Sequence, residues 1–396
     1  MLSNNITEKL VGFQGVIIKN VESGDKNMKI YLELKRTKQQ CPCCGTATRT
    51  IHDYRKQKIK DIPAFGKHVV VILSKRRYRC ACGKRFFEKN TFLPRYHRMT
   101  NRLSAYVIDR LSDVRSFSSV AREVNLSVST VIRIFDLVGY TPVSLPQVLS
   151  IDEFKGNTGR EKYQCIITDP VNKRIIDILP TRYKHHLFSY FKQFERSHIT
   201  HFISDMWETY ADLSRTYFKN ATYIIDKYHY IRQVVWAFEA ARKEAQAKFN
   251  KQHRIYFKRS KRILTKHFDF LSDEEKQQVM VMLEADVQLS DAYFLKEQFF
   301  KILRCSTKED AQKMLKNWIT AAQDSGIKRF VICANTMINW SAGILNSFES
   351  PYTNGFTEGC NNKIKILKRN AYGYRSFSRF RNRILHIFNN KISEVA

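Results

Sequence analysis

Three acidic residues stand in surroundings that suit metal-assisted chemistry. Asp152 closes the run Leu149-Ser150-Ile151, and Asp205 follows Phe202-Ile203-Ser204. Glu358 lies in Asn354-Gly355-Phe356-Thr357-Glu358-Gly359-Cys360-Asn361-Asn362-Lys363, where a glycine-flanked turn gives way to a basic helix. Carboxylates that converge from distant parts of a chain are the oxygen donors that a pair of divalent ions, ~3.5–4 Å apart, requires for phosphodiester chemistry. Val148, Ser150 and Asp152 share one strand face by the two-residue period, and Lys365, seven residues after Glu358, shares its helical face. Lys365 is thereby placed to hold a phosphate near the metals, and Lys363 is a further DNA-binding candidate. Each acid also has a plainer reading. Asp152 and Glu153 could simply end a strand, and Asp205 could cap a helix beginning near Met206-Trp207-Glu208. Asp226, in Asp226-Lys227-Tyr228-His229, also follows an apolar strand and competes for the second place.

A sheet must bring these acids together. Residues 147–152, 163–169 and 174–179 read as strands, the last two joined by an Asp169-Pro170-Val171-Asn172 turn. A helix over 183–196, a strand over 198–204, a second helix and a strand over 221–225 follow. This β-β-β-α-β-α-β order predicts a mixed α/β sheet with helices packed against it. From about 229 to 349 the chain reads as nearly all helix, with Ser272-Asp273-Glu274-Glu275 as a capping box. The last helix is expected to run unbroken from about 358 towards 391.

Two further motifs precede the acids. Cys41 and Cys44 form a Cys-x-x-Cys pair, and Cys80 and Cys82 form a second pair separated by one residue. Four thiolates from two turns suit one structural zinc, which lets a small basic module fold without a large core. Cys43 is an alternative ligand, and free thiols are the bland alternative. Residues 116–135 then have the pattern of a helix-turn-helix. Val120, Ala121 and Val124 face Val131, Ile132 and Phe135 across a turn at Asn125-Leu126-Ser127, and Ser127 is a fair N-cap. Ser129, Thr130 and Arg133 are left as groove-facing candidates.

The whole chain is basic: 68 Lys+Arg against 37 Asp+Glu give net +31 over 396 residues. With 43% hydrophobic residues it is a folded protein, and such an excess points to a nucleic-acid partner. Five of the nine cysteines cluster within 41–82, which favours metal over disulfides. No stretch approaches the ~18 consecutive apolar residues of a membrane span. The N-terminus lacks a basic head and apolar signal core, so export is not expected.

Taken together, these motifs resemble the bacterial insertion-sequence transposases of the DDE class, closest to the ISL-three family. The resemblance covers essentially the whole length. It is carried by the cysteine ribbon with its Lys75-Arg76-Arg77-Tyr78-Arg79-Cys80 approach and by the helix-turn-helix. Ser204-Asp205-Met206-Trp207-Glu208-Thr209-Tyr210, Asp226-Lys227-Tyr228-His229 and Thr357-Glu358-Gly359-Cys360-Asn361-Asn362-Lys363-Ile364-Lys365 carry the rest. The one-residue spacing of Cys80 and Cys82 is the main departure. The resemblance implies a ribonuclease-H-like core interrupted by a helical insertion. It implies Asp152, Asp205 and Glu358 as the catalytic triad, with Asp226 a neighbour outside it.

On this reading the chain divides into a zinc-ribbon domain (1–95), a helix-turn-helix (100–142), a catalytic core (145–228 and 350–396) and a helical insertion (229–349). It would bind the inverted-repeat ends of a mobile element as double-stranded DNA, cut them with two Mg²⁺ (or Mn²⁺), and join the freed 3′-hydroxyl to target DNA. Synapsis of two ends makes a homodimer or larger assembly the expectation, in the bacterial cytoplasm at the nucleoid. Two rivals remain: a catalytically silent DNA-binding regulator, and a ribonuclease-H-like nuclease that cuts without joining.

Overall fold

The computed structural model describes residues 11–94, 97–159 and 161–389. It divides into two compact units. One contains the chain through Tyr140 together with Ile366–Tyr374 and the segment from Ser378. The other contains Thr141–Lys365 and Arg375–Phe377.

In the first unit, β1 (Val16–Ser23), β2 (Asn27–Leu34), β5 (Ile51–Ala64), β6 (Lys67–Arg79) and β7 (Arg85–Phe87) form one sheet, in the order β1-β2-β6-β5 with β7 on β6. The long hairpin β5–β6 turns at Phe65 and Gly66, both with positive φ, so the turn's twist matches that of its strands. Val69, Val71 and Leu73 alternate into the core beside Ile30, Leu32 and Ile59, as the two-residue period of a strand with one buried face requires. The short pair β3 (Gln39–Gln40) and β4 (Ala47–Thr48) frames the first cysteine turn.

The helical module of this unit comprises Asn101–Arg110, Phe117–Glu123 and Val128–Phe135. Each helix opens on a hydroxyl cap, Thr100, Ser116 and Ser127 respectively, that accepts from an amide of the first turn. Asn125 supplies the positive φ of the predicted turn. One core position differs from the sequence reading: Ile134, not Ile132, is buried with Val131 and Phe135. The first helix, with Leu103, Val107 and Leu111, draws the third to that face.

The last helix is not continuous. It breaks into Gly355–Asn370 and Phe377–Asn389, because Tyr372 and Gly373 both adopt positive φ. Phe377–Asn389 packs on the helical module, where the sequence reading attached it to the catalytic region. Fully buried Arg383 donates to the carbonyls of Asp113 (3.0 Å) and Arg115 (2.8 Å) and lies over the rings of Phe117 and Phe135. His386 bridges the Tyr140 hydroxyl (2.6 Å) and the Ile108 carbonyl (2.8 Å).

The second unit holds the five-stranded sheet β10-β9-β8-β11-β12, built from β8 (Val148–Thr158), β9 (Glu161–Asp169), β10 (Arg174–Leu179), β11 (His201–Ser204) and β12 (Thr222–Ile225). β8, β9 and β10 are antiparallel, while β11 is parallel to both β8 and β12. One face carries Leu149, Ile151, Ile167 and Phe202 against the helices Lys184–Phe191 and Glu208–Tyr217. The helical block, Lys227–Ala247 through Lys328–Glu349, has its own core around Phe238, Phe299, Trp318 and Phe330. Its predicted capping box forms: the Glu275 amide donates to Ser272 Oγ, and the Ser272 amide donates to Glu275 Oε2, each at 3.2 Å. Gly343 lets the helix Lys328–Glu349 approach β12, since a Cβ there would lie 2.7 Å from Ile225.

Candidate active site

Strand register puts three acids in a row. β11 pairs with β8 as Phe202↔Leu149 and Ile203↔Ser150, and with β12 as Ser204↔Ile225. Two more steps set Asp205 opposite Asp152, and one more sets Asp226 opposite Asp205. Neighbouring strands lie ~4.8 Å apart, so these carboxyl groups leave the sheet as close neighbours. Asp205 does not cap the following helix: Trp207 occupies that position, with no side-chain cap bond. Asp226 precedes the helix Lys227–Ala247 and likewise makes no cap bond.

The helix Gly355–Asn370 is laid on the row by a buried polar seam. Ser150 donates to Asn354 Oδ1, and the Thr357 hydroxyl meets those of Thr168 (2.7 Å) and Ser150 (3.3 Å). Four residues on, Asn361 donates to Asp152 Oδ2 (2.8 Å) and to the Glu153 carbonyl (3.4 Å). The match is metric: two residues of strand advance ~6.6 Å, and four residues of helix ~6.0 Å. Ser150 and Asp152 therefore meet Thr357 and Asn361 in step, and Glu358 is carried to the row between those anchors. None of Ser150, Asn354, Thr357 and Asn361 was singled out from sequence. The same-face spacing of Ser150 and Asp152 was the available signal for the first.

The electrostatics agree with this geometry. Burial, reinforced by Glu153, Asp226 and Glu358, pushes the Asp152 carboxyl up to about 7 against the pull of the Glu153 amide. Burial, with Glu153 and Asp152, pushes Asp205 up to about 8 although Arg232 and Arg182 oppose it. Burial and Glu358 take Asp226 to about 6. Asp205 thus feels Asp152, and Asp152 in turn feels Asp226 and Glu358. His229 sits 4.0 Å from Asp205 Oδ2 and 3.7 Å from Asp226 Oδ2, and burial holds it down at about 4. Because Arg232 donates to His229 Nδ1 (3.2 Å), the neutral ring carries its proton on Nε2, facing Asp226.

Asp205 Oδ1 and Asp226 Oδ2 are buried without a hydrogen-bond partner. Orphaned oxygens in an all-oxygen donor set fit a hard divalent cation. The acids are not drawn into one tight knot. Among the described residues, the cysteine set is the group whose ligand atoms all lie within 4.8 Å of one another. Lys365 is exposed two turns beyond Glu358, with Nζ 3.2 Å from Asn362 Oδ1, and half-buried Lys363 lies beside Cys360.

The metal cluster of the first unit is Cys41, Cys44, Cys80 and Cys82. Cys41 Sγ lies 3.7 Å from Cys82 Sγ, and Cys44 Sγ 3.5 Å from Cys80 Sγ. Exposed Cys43 stands outside the cluster. Both turns close by a glycine amide with positive φ: Gly45 donates to the Cys41 carbonyl and Gly83 to that of Cys80, each at 3.0 Å. The first turn advances four residues and the second three, so the shorter Cys80–Cys82 spacing goes with a tighter turn. Hydrogen bonds from Thr46 hold the Cys44 thiol down at about 6, already near the thiolate a metal requires. In the helical module Ser129 and Arg133 are exposed. The half-buried Thr130 hydroxyl is engaged by Ser127 (2.8 Å) and Arg133 (3.3 Å).

Three family models match the chain in order. A zinc-finger model of the transposases IS204/IS1001/IS1096/IS1165 covers 37–82, and a helix-turn-helix domain model of transposase family ISL3 covers 88–139. An ISL3 transposase model of the DDE type covers 149–384. The chain is similar to the transposase for insertion sequence element IS1001 of Bordetella parapertussis, 27% identical over 391 residues, covering 95% of this chain and 96% of that one. It is also similar to the transposase for insertion sequence element IS1557 of Mycobacterium tuberculosis, 24% identical over 58% of this chain and 57% of the relative. A zinc ribbon, a DNA-binding helix-turn-helix and a transposase domain in this order define a DNA-transposing enzyme. The chain belongs to the ISL3 family of insertion-sequence transposases. The ribbon and its four cysteines support a structural zinc. Among the described residues no helix is long and apolar enough to cross a membrane.

Proposed function

We propose that Asp152, Asp205 and Glu358 hold two Mg²⁺ (or Mn²⁺), and that the protein cuts the inverted-repeat ends of an insertion sequence and joins them to target DNA. The observation that carries this is the docking of Thr357 and Asn361 on Ser150 and Asp152, which delivers Glu358 to a row of buried acids with orphaned oxygens. Bound divalent cations would supply the positive charge that activates an oxygen nucleophile and steadies the leaving oxygen at phosphorus. The remaining work falls to side chains. Asn361 orients Asp152, the carboxylate flanked by both other members, and Lys365 with Lys363 takes up backbone phosphate. Ser129, Thr130 and Arg133 of the third module helix meet the terminal repeat in the major groove, with the ribbon as a second contact. The protein acts as a homodimer or larger assembly, since two ends must be brought together.

The test is incubation of purified protein with labelled element ends and Mg²⁺. Cut and joined products are both expected, and Asp205→Asn should abolish both while end binding persists. Cutting without any joined product would favour a nuclease, and intact DNA would leave only a DNA-binding regulator.

A further inference from the structure

The helix that begins after Asp226 buries Tyr230, Val234, Ala237, Phe238 and Ala241 in the helical block, yet its opposite face leaves large rings in solvent. Tyr228 is 54% and Trp236 55% exposed. They stand four residues either side of Arg232, so the three side chains form one stripe. The Arg232 guanidinium lies 5.3 Å from the Tyr228 ring and 4.7 Å from the Trp236 ring. The same guanidinium donates to His229, which lies 4.0 Å from Asp205 and 3.7 Å from Asp226. The stripe therefore begins one side chain away from the acidic row. Arg232 Nε is buried and without a hydrogen-bond partner, and the guanidinium is held in place between the rings.

We propose that Tyr228, Arg232 and Trp236 form a platform that stacks a nucleobase drawn out of the duplex beside the bond being cut. The ligand class follows from the chemistry. Two rings around a guanidinium offer flat π surfaces with a positive centre, which suit a planar base joined to an anionic backbone. A paired base has no free face to offer, so the occupant is an unstacked one. This rests on the reading of the neighbouring carboxylates as the cleavage site.

The test uses full-length protein and terminal-repeat duplexes carrying 5-iododeoxyuridine at single positions around the cleaved bond, irradiated in EDTA when fully bound. An adduct on Tyr228 or Trp236 at one position is expected, and no adduct within 228–236 at any position overturns the proposal. Without divalent cations the adduct is independent of cutting, so failure of the cleavage reading is seen separately. Trp236→Ala and Tyr228→Ala, both at exposed positions, should melt like wild type and cut matched ends about 5- to 150-fold more slowly, the factor for a lost stack of about 1–3 kcal/mol. On a duplex abasic at that position the variants should match wild type. An equal penalty on abasic DNA, or a change in oligomeric state in place of the adduct, also overturns it.

Discussion

Neutralising Asp205 should stabilise the metal-free protein at alkaline pH, although it removes a proposed ligand. The folded chain raises this carboxyl from 3.8 to about 8, chiefly by burial and by the charges of Glu153 and Asp152. A raised acid binds its proton more tightly in the folded than in the unfolded state, so stability is greatest at low pH and falls until pH passes the folded value. His229, held at about 4, works in the opposite sense. Its contribution is lost as pH falls from about 6.5 towards 4, and is constant above that. His229 is therefore silent between about pH 6.5 and 8.5, where the rising charge on Asp205 costs about 2 kcal/mol, and Asp152, raised to about 7, adds roughly 1 kcal/mol more in wild type and variant alike. At about 2–4 °C per kcal/mol for a unit of this size, wild type in EDTA should lose roughly 4–8 °C more of Tm across this range than Asp205→Asn. Added Mg²⁺ at 100 times its Kd should restore about 2.7 kcal/mol to wild type and little to the variant. Calorimetry of both proteins at several pH values, with EDTA or Mg²⁺, gives the comparison. Equal pH slopes, or equal rescue by Mg²⁺, would refute the picture of Asp205 as a buried member of a cation site.

Asn361→Ala should lower single-turnover cleavage about 10- to 100-fold with end binding unchanged, because it frees the carboxylate it orients; rates and band shifts on the same preparation check this. Stripping zinc, or Cys44→Ser, should unfold the ribbon and weaken end binding while leaving the α/β unit's melting transition in place, to be followed by metal analysis and calorimetry. Arg383→Ala should destabilise the helical module by about 3 kcal/mol or more, since it empties a packed site and strands the carbonyls of Asp113 and Arg115; denaturant titration measures it.

Local signals in the sequence were enough for the elements whose stability is local. Caps at Ser127 and Ser272, the 174–179 strand and the two cysteine turns depend on neighbours a few residues away, and their side-chain chemistry is written in the chain. Long-range relations were not. Asp226 stands in the same row as Asp205, and not apart from it, because parallel register aligns the ends of β11 and β12. The final helix breaks at Tyr372-Gly373 and gives Arg383 and His386 to the helical module because their buried polar atoms find carbonyls there and nowhere nearby in sequence.

The residue types alone determined that this chain is a basic, DNA-binding protein with a four-cysteine cluster, and they marked out the acids proposed to serve divalent ions. Which acids share a row, which amide steadies Asp152 and which cysteine is left out were decided only by tertiary structure. Composition states what a side chain can do, whereas register and helix docking fix which others lie within the few ångströms over which charge and hydrogen bonding act.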